Sequence, residues 1–187
     1  VIIVQARQTS KRFPNKVLKK LGKKTIIQLL IERLSKSKLI DKIVVATTIS
    51  KKDDSLVNHI RTFKKDIFRG SENNLLDRFY QTAKIYKPNY IVRITADCPF
   101  IDPQIVDKVI SYHFNNKSQI TSNFNILSYP DGLDFEKFNF EILKKAWLKA
   151  TSNFDREHVT SFIKKRYKVN NFKDARDFSH LRITLDE

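Results

Sequence analysis

The stretch Tyr90–Asp102, YIVRITADCPFID, joins a strand to a polar exit loop just before a helix start. The β-branched run Tyr90–Thr95 predicts a strand. Asp102 and Pro103 have the residue types of an N-cap and a first helical position, and the helix that they begin extends to about Asn115. A strand, a loop and a helix in this order form the repeating unit of an α/β fold.

The same alternation occurs along the first two thirds of the chain. Further strands are predicted at Val1–Gln5, Lys42–Thr47 and Asp66–Arg69, and further helices after the N-cap Thr25 and at Asp53–Phe63 and Leu75–Tyr86. Strands separated by helices pair in parallel through right-handed crossovers. The sequence therefore predicts an α/β domain with three layers and a Rossmann-like, mostly parallel sheet.

The later part of the chain has a different pattern. A turn is predicted at Pro130–Gly132, helices near Phe140–Lys149 and Arg156–Arg166, and strands near Tyr167–Phe172 and Leu181–Leu185. In parallel α/β sheets, ligands bind at the carboxyl ends of the strands. This rule selects the loop at residues 6–16 and the exit at residues 96–102 as the places to look for chemistry.

The composition is that of a basic globular protein. A chain of 187 residues with 41% hydrophobic residues suits one α/β domain. The net charge of +16 raises the question of nucleic-acid binding. However, the lysines are scattered over every predicted helix. We interpret them as a solvated basic surface whose field also attracts a triphosphate or an acidic sugar, and we expect no specific nucleic-acid partner.

The sequence favours a soluble, cytoplasmic protein without a membrane segment. No window approaches the roughly 20 apolar residues that cross a bilayer, and the apolar start Val1–Val4 is too short for a signal peptide. The lone Cys98 forms no internal disulfide, which fits a reducing compartment. Because the sequence begins on a strand-like valine and contains no methionine, we expect residues to be missing from its ends.

The loop after the first predicted strand, QARQTSKRFPNK at residues 5–16, carries four cations and two hydroxyl groups. Backbone N–H groups, hydroxyls and cations at such a position can bind a polyphosphate. The loop has neither the glycine spacing of a P-loop nor that of a dinucleotide fold. On composition alone, a basic surface loop and a phosphate site remain equally good interpretations.

Five segments taken together resemble one known family. They are QARQTSKRFPNKVL, FRGSENNLLDRFYQTAK, VRITADCPFIDPQIVDKVI, YPDGLDFEKF and REHVTSFI. In this order they are similar to the spore coat polysaccharide biosynthesis protein F family, which is related to the acylneuraminate and 3-deoxy-manno-octulosonate cytidylyltransferases. The resemblance covers essentially the whole chain.

The resemblance implies a fold and an activity. It implies the nucleotide-diphospho-sugar transferase fold and a single domain at residues 1–187, with a nucleotide-binding part at about 1–118 and an acceptor-binding part at about 119–187. It also implies a Mg²⁺-dependent cytidylyltransferase that joins CTP to a sugar, with an acidic sugar favoured, and releases pyrophosphate during glycan synthesis. Related enzymes are commonly dimers, so a homodimer is expected.

The resemblance also assigns residues to the nucleotide and the metal. Asp97, at the end of a predicted strand, matches the metal-binding acid, and Asp186 matches a second acid on the same ion. Arg12 and Lys16 resemble a catalytic phosphate-binding pair. The remaining candidates for nucleotide contacts are Ala6, Arg7, Ser10, Arg69, Gly70 and Ser71. For the last three, a tight structural turn is an equally good interpretation.

The acceptor sugar is assigned to the later half of the chain, where related enzymes contact their acceptors. The candidates are Tyr129, Asp131, Asp134, Glu136 and His158. Polar side chains at a turn can bind sugar hydroxyls, although the segment around Gly132 also suits a plain hairpin turn. For His158, a helix-start surface histidine is the alternative. Arg93 lies inside a strand, and a structural pair with an internal acid would explain it.

Three positions depart from the family pattern. Thr9, Asn15 and Ala96 occupy sites where the family usually has glycine. Asn tolerates a left-handed backbone, whereas Thr9 would be strained if the loop needed a positive φ there. Two rivals therefore stay open: a glycosyltransferase of related fold, and a degenerate, non-catalytic binding protein.

Overall fold

The computed structural model describes residues 1–9 and 13–185. The strands are β1 (Ile2–Gln5), β2 (Lys20–Leu21), β3 (Lys24–Thr25), β4 (Ile43–Thr48), β5 (Asp66–Gly70), β6 (Tyr90–Thr95), β7 (Ile120–Ser122), β8 (Phe135–Asn139) and β9 (Val169–Asn171). The helices are α1 (Ile26–Leu34), α2 (Asp54–Thr62), α3 (Leu75–Tyr86), α4 (Pro103–Asn115), α5 (Phe140–Lys149), α6 (Asn153–Glu157) and α7 (Ser161–Lys164). None of these helices is long and apolar enough to cross a membrane.

Seven strands form the main sheet in the order β5-β4-β1-β6-β8-β7-β9, and β2 pairs with β3 in a separate small hairpin. The four strands β5, β4, β1 and β6 run in parallel. Strand β8 is antiparallel to both β6 and β7, and β9 pairs with β7 in parallel. The predicted mostly parallel sheet is thus confirmed, with one antiparallel strand, β8, inserted between β6 and β7.

Alternating side chains of the strands enter two separate cores, one on each face of the sheet. Ile2 and Val4 pack into the core that holds residues of α1, α2 and α4, whereas Ile3 packs into the core that holds residues of α3 and α5. Because both faces are covered, the central strands are apolar almost throughout. The predicted three-layer architecture is therefore confirmed.

The predicted helix starts are also present. Asp102 Oδ1 accepts a hydrogen bond from the Gln104 backbone N–H at 2.7 Å, and Pro103 is the first residue of α4. Thr25 Oγ1 accepts from the Gln28 N–H at 3.3 Å. Each cap satisfies a backbone donor that has no partner within its helix.

The later part of the chain corrects several predictions. The strands β7 and β8 were not predicted, because the central residues of β8, Glu136 and Lys137, are charged and yet fully buried. The single helix expected at Arg156–Arg166 is two short helices, since the Ser161 hydroxyl bonds to the His158 carbonyl and to Asp155 at the break. Instead of a strand at Leu181–Leu185, the chain forms one isolated bridge there.

Candidate active site

The carboxyl ends of β1 and β6 lie side by side, because Gln5 is the register partner of Thr95. The loops that leave these strands enclose a cavity of about 540 Å³. It is lined by Gln5, Ala6, Arg7, Thr9, Lys16, Val17, Glu72, Thr95, Ala96 and Asp97. The structure thus brings together four of the predicted nucleotide and metal residues, namely Ala6, Arg7, Lys16 and Asp97.

An ion pair joins the two loops across this cavity. Lys16 Nζ lies 2.8 Å from Asp97 Oδ2, and the side chains of the two residues are 10% and 27% exposed. Asn15 precedes Lys16 with a φ of 59°, in the left-handed region that asparagine tolerates. Thr9 has no positive φ, so threonine imposes no such strain there. Two of the departures from glycine are therefore compatible with the loop.

Asp97 suits a magnesium ligand. Its Oδ1 contacts the Cys98 thiol at 3.7 Å, and no ion pair within the described ranges involves that oxygen. In residues 1–9 and 13–185 there is no cluster of three or more His, Cys, Asp or Glu suited to a metal. Mg²⁺ bound with nucleotides commonly takes only one or two carboxylates, together with phosphates and water. A partly exposed carboxylate beside a cavity of small-molecule size fits that pattern.

The neighbouring Cys98 is a structural residue. Its side chain is buried, and burial raises the pKa of its thiol because the thiolate would be desolvated. Its Sγ lies 3.2 Å from Thr95 Oγ1. The thiol is therefore unsuited to act as a nucleophile, in agreement with the prediction of a buried small residue.

A buried aspartate anchors the start of the first loop. Asp53 is fully buried, accepts from the Gln8 backbone N–H at 2.8 Å and accepts from the Thr47 hydroxyl at 3.0 Å. The Gln8 side chain donates to the Lys52 carbonyl at 2.6 Å. These contacts fix the path of the chain after β1. The sequence analysis missed both residues, because Asp53 looked like an ordinary helix start.

A second cavity of about 450 Å³ adjoins the first, and Thr95 and Asp97 line both. Its other lining residues are Arg93, Cys98, Phe124, Asp131, Asp134, Phe135, Glu136, Phe154, His158, Thr160, Ser161, Lys164 and Thr184. Four of the predicted sugar residues, Asp131, Asp134, Glu136 and His158, are therefore brought together. Asp97 therefore lies at the junction of the two cavities.

Glu136 forms the centre of a buried network on the wall of this second cavity. Its Oε2 accepts from Arg93 at 3.0 Å and from the Thr160 hydroxyl at 2.8 Å. Its Oε1 lies 2.6 Å from Lys164 Nζ. Glu136 has no exposed side-chain area, whereas Arg93 is 16% and Lys164 27% exposed. The network explains why an arginine lies inside this strand, and it leaves Arg93 and Lys164 more exposed than Glu136.

Asp131 and Asp134 form the acidic side of the same cavity. Desolvation, followed by the charge of Asp131, raises the pKa of Asp134 to about 7. Asp131 Oδ2 lies 3.3 Å from Arg182 Nε. The backbone of Asp131 pairs with residues 181 and 183, which brings the end of the described chain over the site. Gly132, with a φ of 110°, permits this close approach, since a Cβ there would meet Ile183 at 2.9 Å.

Several predicted site residues lie elsewhere. Arg69 donates to the Thr48 and Ser50 carbonyls at 2.9 Å each, and Gly70 packs against Phe68 and Arg78. Neither they nor Ser71 and Tyr129 are among the described residues that line the two cavities. Tyr129 instead stacks on Phe172 at 6.2 Å. Ser10, Arg12 and Asp186 lie outside the described residues.

The sequence analysis also missed residues that line the two cavities. Glu72 lines the first cavity, and Arg93, Lys164 and Thr160 line the second. Arg93 offered one signal, namely a charge inside an otherwise apolar strand. Lys164 and Thr160 offered none, because surface helices commonly contain such residues.

The chain is similar in sequence to several known proteins. A protein from Methanocaldococcus jannaschii is 46% identical over 161 residues, which cover 86% of this chain and 65% of that protein. The spore coat polysaccharide biosynthesis protein SpsF of Bacillus subtilis is 34% identical, over 100% of this chain and 80% of its own. A 3-deoxy-manno-octulosonate cytidylyltransferase of Geotalea daltonii is 32% identical, over 58% and 42%. The chain thus spans only about two fifths to four fifths of these relatives' lengths.

Solved structures extend the comparison. A cytidylyltransferase from Leptospira borgpetersenii superposes with a TM-score of 0.95 at 32% identity, over 100% of this chain and 80% of the other. A CMP:2-keto-3-deoxy-manno-octonic acid synthetase, solved with CTP, gives a TM-score of 0.71 at 14% identity, over 100% and 92%. The latter likeness supports the nucleotide-diphospho-sugar transferase fold alone. The family model for cytidylyltransferases matches residues 1–183, and the chain belongs to that family of nucleotidyltransferases.

Proposed function

We propose that this protein transfers the cytidylyl group of CTP to a hydroxyl of a sugar, in a reaction that requires Mg²⁺ and releases pyrophosphate. The observation that carries the proposal is the position of the Lys16–Asp97 pair, 2.8 Å apart at the junction of two cavities. One cavity, of about 540 Å³, is polar and large enough for a small organic ligand, and the other combines acids with paired cations. Family membership supports the same reaction.

In this mechanism the first cavity binds the triphosphate. Lys16 and Arg7 neutralise its charge there. Arg12, which lies outside the described residues, is proposed to do the same. Asp97 is proposed to hold Mg²⁺, with Asp186 as a second ligand. When bound, Mg²⁺ withdraws charge from the phosphate oxygens and stabilises the leaving pyrophosphate. The protein itself orients the reactants and supplies fixed positive charge.

The second cavity is proposed to bind the acceptor sugar. Asp131 and Asp134 accept hydrogen bonds from hydroxyl groups, and His158, which lines the same cavity, contacts the sugar. An acidic sugar would direct its carboxylate to Arg93 and Lys164, which retain partial exposure. The relatives named as 3-deoxy-manno-octulosonate cytidylyltransferases support an acidic sugar. We further propose a cytoplasmic homodimer that acts in polysaccharide synthesis.

The rival interpretations are less well supported. A glycosyltransferase would consume a nucleotide sugar, but the chain matches a cytidylyltransferase model over residues 1–183. A degenerate binding protein would not need the paired Lys16 and Asp97 at the shared edge of two cavities. Thr9 and Asn15 are compatible with the loop, so the loss of glycine gives no reason to exclude catalysis.

A pyrophosphate-release assay tests the proposal. Each of the four nucleoside triphosphates is combined with a panel of acidic and neutral sugars, with Mg²⁺ or with a chelator. We expect turnover with CTP, an acidic sugar and Mg²⁺, and none with the chelator. Turnover with another triphosphate alone, or equal turnover without a divalent ion, would contradict the nucleotide or the metal assignment.

A further inference from the structure

Glu72 is an acidic residue in the cavity that is proposed to bind the triphosphate. The residue is exposed, and it lines this cavity together with Arg7, Lys16 and Asp97. Lys16 and Arg7 are proposed to neutralise phosphate, and Asp97 is proposed to hold the metal ion. Glu72 has no part in that scheme, and its charge repels phosphate oxygens. It therefore suits a different part of the ligand, one that carries hydrogen-bond donors.

The order of the strands determines which side of the cavity Glu72 borders. Glu72 comes two residues after the end of β5, and Asp97 comes two residues after the end of β6. The two strands run in the same direction, and β4 and β1 lie between them. At about 4.8 Å for each neighbouring pair, the ends of β5 and β6 are roughly 14 Å apart. Glu72 and Asp97 therefore border the cavity from opposite sides.

Local contacts hold the turn that carries Glu72. The Ser71 hydroxyl accepts a hydrogen bond from the Asn74 backbone N–H at 3.0 Å. The Ser71 carbonyl accepts from the guanidinium group of Arg78 at 3.1 Å, and Arg78 is only 3% exposed. The Asn74 side chain accepts from the Asp77 N–H at 2.9 Å, at the start of α3. Because residues on both sides of Glu72 are fixed, its backbone has a defined position beside the cavity.

The proposed reaction orients the nucleotide within this cavity. The acceptor cavity adjoins it at Asp97, so the α-phosphorus, which the acceptor attacks, belongs on that side. The other two phosphates then extend along the cations of the first loop. Because Glu72 repels phosphate, the nucleoside is the part that extends to the β5 side. The base is the part of the nucleoside that can lie farthest from the phosphates, and it therefore comes nearest to Glu72.

We propose that Glu72 accepts a hydrogen bond from the exocyclic amino group of cytosine and thereby selects CTP over UTP. A carboxylate has only acceptor atoms, and the amino group of cytosine is a donor. Uracil carries a carbonyl oxygen at the same ring position, and a carboxylate repels it. A site that accepts from a donor group rejects the analogue without that donor, because the acceptor loses water and gains no partner. The inference rests on the proposed function and adds the residue that determines which nucleotide is used.

Calorimetry with Mg²⁺ and either CTP or UTP tests this role. In the wild type we expect CTP to bind at least about tenfold more tightly than UTP, which corresponds to one charge-assisted hydrogen bond. In Glu72→Gln the ratio of the two affinities should fall below about threefold, because the amide offers uracil a donor as well as an acceptor. Loss of a negative charge strengthens the binding of both triphosphates alike, so the ratio isolates recognition of the base. Glu141→Gln, the same change at an exposed residue of α5, should keep the ratio of the wild type.

A third nucleotide, 2′-deoxy-CTP, distinguishes the base from the ribose as the partner of Glu72. It keeps the amino group, so its affinity relative to CTP should be the same in the wild type and in Glu72→Gln. If the variant changes this ratio and keeps the ratio of CTP to UTP, Glu72 binds the ribose and the inference is wrong.

The outcomes separate this inference from the proposed function. If the wild type prefers CTP and Glu72→Gln keeps that preference, the inference is wrong and the proposed function stands. If the wild type binds neither nucleotide, or binds both equally, the inference and the proposed use of CTP are both wrong.

Discussion

Two carboxylates at neighbouring cavities have opposite surroundings. Asp97 is 27% exposed and has a single ion-pair partner among the described residues, Lys16. Glu136 has no exposure and is held by Arg93, Lys164 and Thr160. Both were candidate site residues from the sequence alone. Of the two carboxylates, only Asp97 is partly exposed, so only Asp97 can change partners without itself becoming a buried, unpaired charge.

The difference separates two uses of a charged residue. A fully buried carboxylate with three neighbouring partners positions the cations around it. A carboxylate with one partner at the edge of a cavity can exchange that partner for a metal ion or a substrate. We therefore expect substitutions at Asp97 to change activity and substitutions at Glu136 to change stability.

The largest expected effect belongs to Asp97→Asn. Loss of the charge should reduce CTP turnover by at least about 100-fold, because the carboxylate proposed to hold the charge-stabilising Mg²⁺ is removed. The melting temperature should stay close to that of the wild type, since Asp97 is partly exposed. Asp66→Asn, which removes an exposed ion pair with Lys42, serves as the matched control for turnover. Unchanged turnover in Asp97→Asn would end the metal assignment.

Glu136→Gln should act on stability. The change leaves Arg93 and Lys164 without their counter-charge and should cost about 3 kcal/mol in the free energy of unfolding, near the lower end for a broken buried pair. The melting temperature would then fall by about 6–12 °C. Urea unfolding followed by circular dichroism measures the loss. A variant as stable as the wild type would show that the contacts of Glu136 with Arg93 and Lys164 do not stabilise the fold.

His113 extends the comparison to a closed polar group at the other end of the sheet. It is 1% exposed and lies within hydrogen-bond distance of Thr121 Oγ1, at 2.9 Å, and Asn139 Oδ1, at 3.0 Å. Burial, followed by the charge of Lys137, lowers its pKa from 6.5 to about 4. Because the unfolded chain takes up the proton near pH 6.5 and the folded protein only near pH 4, the free energy of unfolding is highest above pH 6.5. It declines as the pH falls from 6.5 toward 4.

The prediction is a difference in acid sensitivity. Between pH 7 and pH 4.5 the wild type should lose about 2 kcal/mol more stability than His113→Gln, whose amide does not titrate. Urea titrations of both proteins at the two pH values measure it. If the free energy of unfolding changes equally with pH in both proteins, the pKa of His113 is not lowered in the folded state.

The smallest effect is expected for Lys16→Met. Loss of one cation from the triphosphate site should weaken CTP binding by roughly tenfold, the contribution of one charge-assisted contact. Calorimetry with CTP and Mg²⁺ measures the affinity, and Lys144→Met provides the control for the general loss of one surface charge. Equal affinity in Lys16→Met and the wild type would assign the triphosphate to other residues.

The first two thirds of the fold could be predicted from the sequence. Strands such as Ile43–Thr48 are apolar because both faces of a parallel sheet are covered, and helices such as Pro103–Asn115 begin at capping residues. These signals are local, so they are present in the sequence itself. The resemblance of the loop motifs to a family then indicated Lys16 and Asp97, which the structure brings within 2.8 Å.

Tertiary structure alone decided the rest. The strand at Phe135–Asn139 has two charged residues at its centre, and both are buried only because Arg93, Lys164 and the ring of Phe114 approach from distant parts of the chain. Local hydrophobicity contains no information about such partners. The sequence thus determined the parallel sheet and its loops. Long-range pairing determined which charged side chains have several fixed partners, as Glu136 does, and which can exchange their partner for a ligand, as Asp97 can.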